Sequence, residues 1–394
     1  MAALGEFGVI LPSMAKNIVL CCDGTGNEFG ADSNSNVIKL YGTLVIDATQ
    51  CGYYHPGVGT MASPAARGWF ERHWSVIKGL AFGAGLLANV EDAYRYLMNT
   101  YADGDRVYLF GFSRGSFTAR ALAGLLHMYG LLHPGNEELV PYVIQLFAGK
   151  TRRAGGMKET FDTADFFKAT FSRDCPVFFE GLWDTVSSVG WIWDPVVLPF
   201  SARNPSMHIG RHAVSIHERR SYYRQNLWGA PFEGQSIKQV WFAGVHSDVG
   251  GSYPESQSGL SKVTLEWMLY EAEAAGLRID HQKAAVVLGK APRPEPWMPD
   301  YVPPDSNGEI HPSLHGGWWL LEVLPHRYVD RRSGRPEVRW RIPFGAPRRI
   351  PVGSWIYALA RPRLDGWDDS FQEEPAVSFP SRAETGLAGA AAAP

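Results

Sequence analysis

One serine lies in a pentapeptide that is typical of serine hydrolases. Gly111-Phe112-Ser113-Arg114-Gly115 has the spacing Gly-x-Ser-x-Gly, and it joins the apolar run Val107–Phe110 to an Ala- and Leu-rich stretch. A strand, a tight turn and a helix in that order expose the serine hydroxyl, and the glycines leave room for neighbouring elements. The motif predicts Ser113 as a nucleophile, and a tight turn in another α/β protein is the plainer alternative.

A serine nucleophile needs a histidine base and a carboxylate that orients the histidine. Asp184 directly follows the apolar run Val177–Trp183, and His246 directly follows Val240–Val245. Both therefore stand at the carboxyl ends of predicted strands. The chain order Ser113, Asp184, His246 is also the order found in α/β-hydrolases. These three residues are the predicted catalytic triad.

Other acids and histidines were weighed against this assignment. Asp248 is a rival acid, but it lies only two residues from His246 and is poorly placed to reach the far ring nitrogen. His55 comes before Ser113 in the chain, which breaks the expected order. His212 and His217 lie in an Arg-rich stretch, where salt bridges or a lining role are the expectation.

An acyl-transfer site also needs two backbone N–H groups that stabilise the oxyanion. We expect the N–H of Arg114, the residue after the nucleophile, to be one of them. The loop after the first strand, at Gly24 and Thr25, is the predicted source of the other. A phosphate-binding turn is the alternative for this loop, but the chain contains no G-x-x-x-x-G-K-[ST] motif.

The elements that must position these residues alternate between strands and helices. Continuous apolar runs predict strands at 17–22, 51–55, 106–112, 176–183 and 237–245. Helical spacing predicts helices at 86–101, 115–129 and 261–275. This alternation predicts an α/β-hydrolase-like fold, in which helices flank a mostly parallel sheet.

The domain organisation predicted from the sequence is one α/β domain over residues 16–380. Residues 1–15 are expected to be an N-terminal extension, and the low-complexity tail 381–394 is expected to be disordered. Residues 190–235 are interpreted as a cap insertion, and the Pro-broken segment 283–380 as an irregular appendage.

The predicted cap insertion is rich in aromatic and basic side chains. Its aromatic residues are candidates for substrate binding: Trp191, Trp193, Tyr222, Tyr223 and Trp228. Its arginines are candidates for pairing with a phosphate: Arg203, Arg211, Arg219, Arg220 and Arg224. The alternative, of equal weight, is that the aromatics pack the cap onto the sheet and the arginines pair with carboxylates.

Composition excludes several functional classes. A net charge of −3 and a pI near 6.5 do not indicate nucleic-acid binding. No apolar run approaches the roughly 20 residues of a membrane-spanning helix. The absence of positive charge before Lys16 argues against a Sec signal, so synthesis in the cytoplasm is expected. The four cysteines lack a CxxC spacing, which fits a reducing compartment.

Several separate motifs resemble one family. CCDGTGN, YYHPGVGT, GDRVYLFGFSRGSFTAR, GLWDTVSSVG, HAVSIHERR and VWFAGVHSDVGGSY occur in the order seen in the DUF2235 family of α/β-hydrolases. The similarity covers roughly residues 16–276. Two departures stand out: His217 replaces a residue that is more often Asp, and the chain lacks the long C-terminal parts of the secreted phospholipases.

This family includes phospholipase effectors of bacterial type VI secretion. The resemblance implies a Ser–Asp–His triad that falls on Ser113, Asp184 and His246, an ester or lipid substrate, and no cofactor or metal. It also implies contact with a membrane surface and, for an effector, an immunity or secretion partner and export by type VI secretion. The alternatives are a non-catalytic binding module, and a metal-assisted hydrolase with Asp23, Asp248 and His246 as ligands.

Overall fold

The computed structural model describes residues 15–24, 33–57, 79–149, 156–186, 190–191, 194–195, 198–330 and 337–379. The expected extension 1–15 and tail 381–394 lie outside them, apart from residue 15. Thr25 and Trp193 also lie outside, and of Trp191 only the backbone is described.

Within the described residues, eight parallel strands form the central sheet. These strands are β1 (Asn17–Cys22), β2 (Gln50–His55), β3 (Arg106–Phe112), β6 (Val177–Trp183), β9 (Ile209–Ser215), β10 (Ser236–Phe242), β13 (Trp355–Tyr357) and β14 (Gln372–Glu374). Their spatial order is β2-β1-β3-β6-β9-β10-β13-β14. The same part of the chain forms three short antiparallel pairs outside the sheet: β4 (Leu131–Leu132) with β5 (Ser172–Arg173), β7 (Gly190–Trp191) with β8 (Asp194–Pro195), and β11 (His326–Asp330) with β12 (Glu337–Arg341).

Helices connect the strands. They are α1 (Asn36–Thr43), α2 (Gly79–Thr100), α3 (Arg114–Tyr129), α4 (Val140–Phe147), α5 (Gly156–Phe171), α6 (His246–Gly250), α7 (Gly259–Ala274), α8 (His281–Val287) and α9 (Trp318–Glu322). Short 3-10 turns occur at Glu137–Leu139, Ser221–Tyr223, Glu255–Gln257 and Ala358–Arg363. The predicted α/β fold with a parallel sheet flanked by helices is confirmed.

The sheet is buried on both faces, which explains the unbroken apolar runs. In β1, Ile18 and Leu20 belong to the core that includes residues of α2 and α3. The intervening Val19 and Cys21 belong to the core on the other face, with residues of α1 and α7. Alternate side chains thus enter two different apolar cores, and neither face of the strand needs polar residues.

The strand order reverses at β1. From β1 the chain moves outward to β2, then crosses to the other side of β1 and adds all later strands in that direction. The carboxyl ends of β1 and β3 therefore border a crevice, where ligands bind in open α/β sheets. Asp23 follows β1 and Ser113 follows β3 at this position.

Two predictions about organisation need correction. Residues 190–235 are not one cap insertion, because β9 runs through them and pairs with β6 and β10 in the sheet. Polar residues concealed this strand: Arg211 pairs with Glu271, and buried His212 accepts the N–H of Thr185. Segment 283–380 is not merely an appendage, because it supplies β13 and β14 to the same sheet.

Candidate active site

Ser113 occupies the sharp turn between β3 and α3. Its φ of 58° and ψ of −118° lie in a region that non-glycine residues rarely adopt. The flanking glycines are required by close approach: a Cβ on Gly111 would lie 2.6 Å from Ser116, and one on Gly115 would lie 2.0 Å from the carbonyl oxygen of Cys22. Steric crowding therefore explains the two glycines of the motif, as predicted from the sequence.

His246 begins α6, directly beyond β10. Its Nε2 lies 2.8 Å from Ser113 Oγ, and its Nδ1 lies 2.6 Å from Asp184 Oδ2. The ring is buried between Phe112 and Tyr223, whose ring centroids each lie 4.7 Å from that of the imidazole. The three residues predicted from strand ends are therefore brought into one hydrogen-bonded chain.

Asp184 is fully buried at the end of β6, with a φ of 39°. Its Oδ1 accepts the N–H of Ser215 at 2.9 Å. Arg348 donates to both carboxylate oxygens, at 2.5 Å to Oδ1 and 3.1 Å to Oδ2. Burial opposes ionisation of the carboxyl, but the charge of Arg348 and the bond to His246 outweigh it and lower the pKa of Asp184.

Arg348 was not predicted from the sequence as part of the site. Besides Asp184, its guanidinium binds the backbone oxygens of Ser215 and Tyr223 and the Ser215 hydroxyl. It lies in the stretch taken for an appendage, in the local sequence Ala-Pro-Arg-Arg, which carries no recognisable motif. Its role is evident only from its contact with the buried carboxylate of Asp184, which lies 164 residues earlier in the chain.

A second buried ion pair supports the backbone of His246. Glu218 Oε2 accepts the His246 N–H at 3.2 Å, and Arg220 binds both carboxylate oxygens of Glu218 at 2.9 and 2.8 Å. Burial opposes ionisation of Glu218, but the bonds and charge of Arg220 lower its pKa to about 2. For His246, burial is the main influence and lowers its pKa; the bond to Asp184 acts in the opposite direction.

Asp248 is directed away from the His246 ring. Its Oδ2 accepts the N–H of Val245 at 2.9 Å, and its Oδ1 lies 2.6 Å from Nδ1 of His311. These contacts join the start of α6 to a later part of the chain. The rival acid thus has a loop-fixing position, whereas Asp184 faces His246.

The expected oxyanion donors are described only in part. The N–H of Arg114 lies at the start of α3, immediately after Ser113. The N–H of Gly24 donates to Oδ1 of Asp23 at 2.6 Å. Oδ2 of Asp23 in turn accepts the hydroxyls of Ser35 and Tyr54, at 2.5 and 2.8 Å.

The candidate substrate-binding aromatics separate into two groups. Tyr223 lies beside His246. Tyr222 and Tyr223 both contact Trp318, with centroid distances of 6.3 and 5.6 Å. Trp228 is instead buried in the core against Arg120 and His212, so its assignment to the substrate cleft is corrected. It packs there because it covers the polar side chains of the buried strand β9 and helix α3.

Several of the cap arginines have protein partners. Arg211 pairs with Glu271, Arg220 with Glu218, and Arg219 donates to the carbonyl of Gly345 at 2.7 Å. Arg203 stacks on Phe232. Salt bridges were expected for His212 and His217, but none is found among their described contacts. His217 accepts the Gly244 N–H at 2.9 Å, and His212 accepts the Thr185 N–H at 3.0 Å.

The residues proposed as metal ligands have other partners. Asp23 binds Ser35 and Tyr54, Asp248 binds His311, and His246 binds Ser113 and Asp184. Within the described part of the chain, no three His, Cys, Asp or Glu side chains are grouped so as to hold a metal ion.

Comparison with known proteins identifies the family. Residues 16–271, more than half of the chain, match "T6SS, Phospholipase effector Tle1-like, catalytic domain". The chain belongs to this family. The match confirms the DUF2235 resemblance, and membership supports a hydrolase of the lipase or esterase type in general terms. The match ends within α7, so β13, β14 and Arg348 lie beyond it.

One curated protein and one solved structure are similar to this chain, and both are described as uncharacterized proteins. The protein YEL023C of Saccharomyces cerevisiae is 38% identical over 223 residues, which are 54% of this chain and 33% of that protein. The chain therefore spans about a third of the length of this relative. A solved structure of an uncharacterized protein from Pseudomonas aeruginosa covers 67% of this chain and 47% of its own, with 21% identity and a TM-score of 0.41. None of the helices in the described ranges is both long and apolar enough to cross a membrane.

Proposed function

We propose that this protein is a serine hydrolase that cleaves carboxylic esters of lipids through an acyl-enzyme intermediate. The observation that carries the proposal is the hydrogen-bonded chain Ser113–His246–Asp184. It combines a nucleophile on a strained turn, a base within hydrogen-bond distance, and a buried carboxylate behind the base. Family membership supports the same class of chemistry.

In the acylation step, Nε2 of His246 takes the Ser113 proton while Oγ attacks the ester carbonyl carbon. The charge that develops on the carbonyl oxygen is stabilised by the N–H of Arg114. The loop at Gly24 and Thr25 remains our proposed source of a second donor. Because the Gly24 N–H is bound by Asp23, this role requires either Thr25 or a rotation of the Gly24 peptide.

The imidazolium then returns its proton to the leaving alcohol, and the ester C–O bond breaks. Asp184 holds the Nδ1 proton and stabilises the imidazolium, while Arg348 and the Ser215 N–H keep its carboxylate in place. In deacylation, His246 activates a water that attacks the acyl carbon and frees Ser113. No step requires a cofactor.

The proposed substrate is a phospholipid, cleaved as by a phospholipase A. The family's description supports it, and Tyr223 beside His246, with Tyr222 packed against it, provides aromatic surface for an acyl chain. Export by type VI secretion and an immunity partner are part of the same proposal, since the matched family is described as phospholipase effectors of type VI secretion.

The test compares wild type with Ser113→Ala and His246→Ala on p-nitrophenyl esters and on phospholipids. Each substitution is expected to lower kcat by about four to six orders of magnitude, with circular dichroism and Tm close to wild type. A fluorophosphonate probe should label wild type and leave Ser113→Ala unlabelled. EDTA should leave the activity unchanged.

Three results contradict the proposal. More than a few per cent of activity in Ser113→Ala would exclude this serine as nucleophile. Loss of activity with EDTA and recovery with added metal would favour the metal-assisted alternative. If the wild type neither reacts with the probe nor hydrolyses any ester, a non-catalytic binding module is favoured.

A further inference from the structure

Six large apolar side chains next to the candidate active site face solvent. They occupy two segments, α9 with its following residue and the end of β12 with its following loop. Each is exposed over between 40% and 67% of its surface. They are Trp319, Leu320, Val323, Trp340, Ile342 and Phe344, and together they are called the apolar platform.

The apolar platform is held in place by buried hydrogen bonds. The fully buried Glu322 accepts the N–H of Gly345 at 3.1 Å through Oε2, and its carbonyl accepts the N–H of Phe344 at 3.0 Å. Its Oε1 accepts the N–H and hydroxyl of Ser221, at 2.7 and 2.8 Å. One buried carboxylate therefore fastens both segments to the turn that carries Tyr222 and Tyr223, and the exposed side chains stand on a fixed base.

The apolar platform lies close to the proposed catalytic base. Trp318, the first residue of α9, contacts Tyr223 at a centroid distance of 5.6 Å, and Tyr223 contacts His246 at 4.7 Å. Four residues beyond Phe344, Arg348 binds Asp184. Two aromatic rings, those of Trp318 and Tyr223, thus connect the platform to the proposed base.

The stretch of sequence that contains β12 and its following loop is strongly basic. Residues 326–349 contain eight arginines against two acids, Asp330 and Glu337, and one of the eight, Arg348, is buried against Asp184. Arg341 and Arg349 are exposed on the described chain beside the platform residues. The whole chain has a net charge of −3, so this stretch carries more positive charge than the chain as a whole. The exposed Arg341 and Arg349 complement an anionic surface.

We propose that the apolar platform is an interfacial docking surface for an anionic phospholipid bilayer. Exposed apolar patches mark interaction sites, tryptophan prefers the boundary between headgroups and acyl chains, and neighbouring arginines add attraction to anionic lipids. Docking would hold the Ser113 site against the lipid that supplies its substrate. The inference rests on the proposed function, but binding is measured separately from hydrolysis.

The test uses vesicle flotation in a Ser113→Ala background, so that the lipid stays intact. One set of vesicles is pure phosphatidylcholine, and the other contains phosphatidylglycerol. The double variant Leu320→Asp/Phe344→Asp removes apolar contact from the platform. The matched control is Phe166→Asp, which changes a side chain with 73% exposure on α5. A second variant, Arg341→Gln/Arg349→Gln, tests the charge without altering the apolar side chains.

Binding to phosphatidylglycerol vesicles is expected to fall on the order of tenfold in each double variant and to be unchanged in Phe166→Asp. With Ser113 restored, Leu320→Asp/Phe344→Asp should keep wild-type turnover of soluble p-nitrophenyl butyrate and lose turnover of vesicle lipid. Binding without any hydrolysis would reject the proposed function and leave docking standing.

Several outcomes would overturn the docking proposal. The first is equal vesicle binding by Ser113→Ala with and without Leu320→Asp/Phe344→Asp. If circular dichroism shows that both proteins are folded, this result would show that lipid is not bound at the platform. Equal binding to neutral and anionic vesicles would remove the role of the arginines. A wild-type dimer in light scattering that the variant converts to a monomer, without vesicle binding, would assign the surface to a second copy of this chain.

Discussion

Arg348 binds both carboxylate oxygens of Asp184, at 2.5 and 3.1 Å, and shares Oδ2 with Nδ1 of His246. Both residues are buried, so the pair is shielded from solvent. A carboxylate buried without a cation would take up a proton much more readily. The pair therefore keeps Asp184 ionised and oriented toward the imidazole.

Replacing Arg348 by Met should move the acidic limit of activity upward. Without the guanidinium, burial raises the pKa of Asp184, so the carboxyl protonates and releases His246 at higher pH than in wild type. We expect kcat to fall on the order of 100-fold at neutral pH, and the free energy of unfolding to fall by about 3 kcal/mol. The measurements are kcat on soluble p-nitrophenyl butyrate against pH, and urea unfolding. Arg349→Met, on the exposed neighbour, is the control, and an equal loss in both variants would refute the assignment.

The two candidate acids should respond differently to amidation. Asp184→Asn is expected to lower kcat by about 10³- to 10⁴-fold, because the amide no longer fixes the Nδ1 proton of His246. Asp248→Asn should cost less than about tenfold in kcat and about 1–2 kcal/mol of stability, since it weakens the bonds to Val245 and His311. Steady-state kinetics and thermal unfolding separate the effects, and a reversed ranking would reassign the acid.

Activity should extend into mildly acidic solution. The proposed base, His246, must be neutral to accept a proton, so kcat/KM rises with pH through its pKa and then levels. Burial lowers this pKa, so the rise should lie below the ordinary histidine value of about 6.5. A kcat/KM profile on a soluble ester between pH 4 and 9, with buffers overlapping, measures it. A rise centred above pH 7 would contradict the described environment of the ring.

Two glycine-to-alanine substitutions should have opposite effects. A Cβ on Gly115 would lie 2.0 Å from the Cys22 carbonyl, so Gly115→Ala must push α3 away from β1 and displace Ser113. We expect loss of activity and a lower Tm. A Cβ on Gly42 in α1 meets nothing within 4 Å, so Gly42→Ala should raise stability by about 0.5–1 kcal/mol. Equal Tm values for both variants would show that the close approach is not real.

Strand ends were enough to find the residues of the proposed triad from sequence. Ser113, Asp184 and His246 each follow a largely apolar run, and parallel strands bring such ends to one edge of the sheet. That rule needs no knowledge of contacts. It works here because β3, β6 and the last three residues of β10 are largely buried and so leave a clear hydrophobic signal.

The elements that were missed have polar side chains whose partners are distant in sequence. β9 carries Arg211 and His212, whose polar side chains are typical of a surface segment. In the structure Arg211 pairs with Glu271, and His212 accepts the N–H of Thr185. Arg348 supports Asp184 through an ion pair, and Glu218 supports His246 through a backbone hydrogen bond. Arg348 belongs to no motif, and Glu218 lies in HAVSIHERR, which by itself assigns no role to the glutamate. Thr25 and Trp193 lie outside the described residues, so their assignments stay predictions.

The sheet order also limits how this protein can be divided. The family match ends at residue 271, yet β13 covers the edge of β10 and Arg348 is contributed from the same later segment. A protein truncated at that boundary would keep Ser113, Asp184 and His246 but would lose the cation beside Asp184. It would also expose β10 as an unpaired edge strand, which invites aggregation. The described part of the chain after residue 271 is therefore an inseparable part of the proposed catalytic unit, and transplanting the family-defined segment alone into another protein should give an insoluble and inactive product.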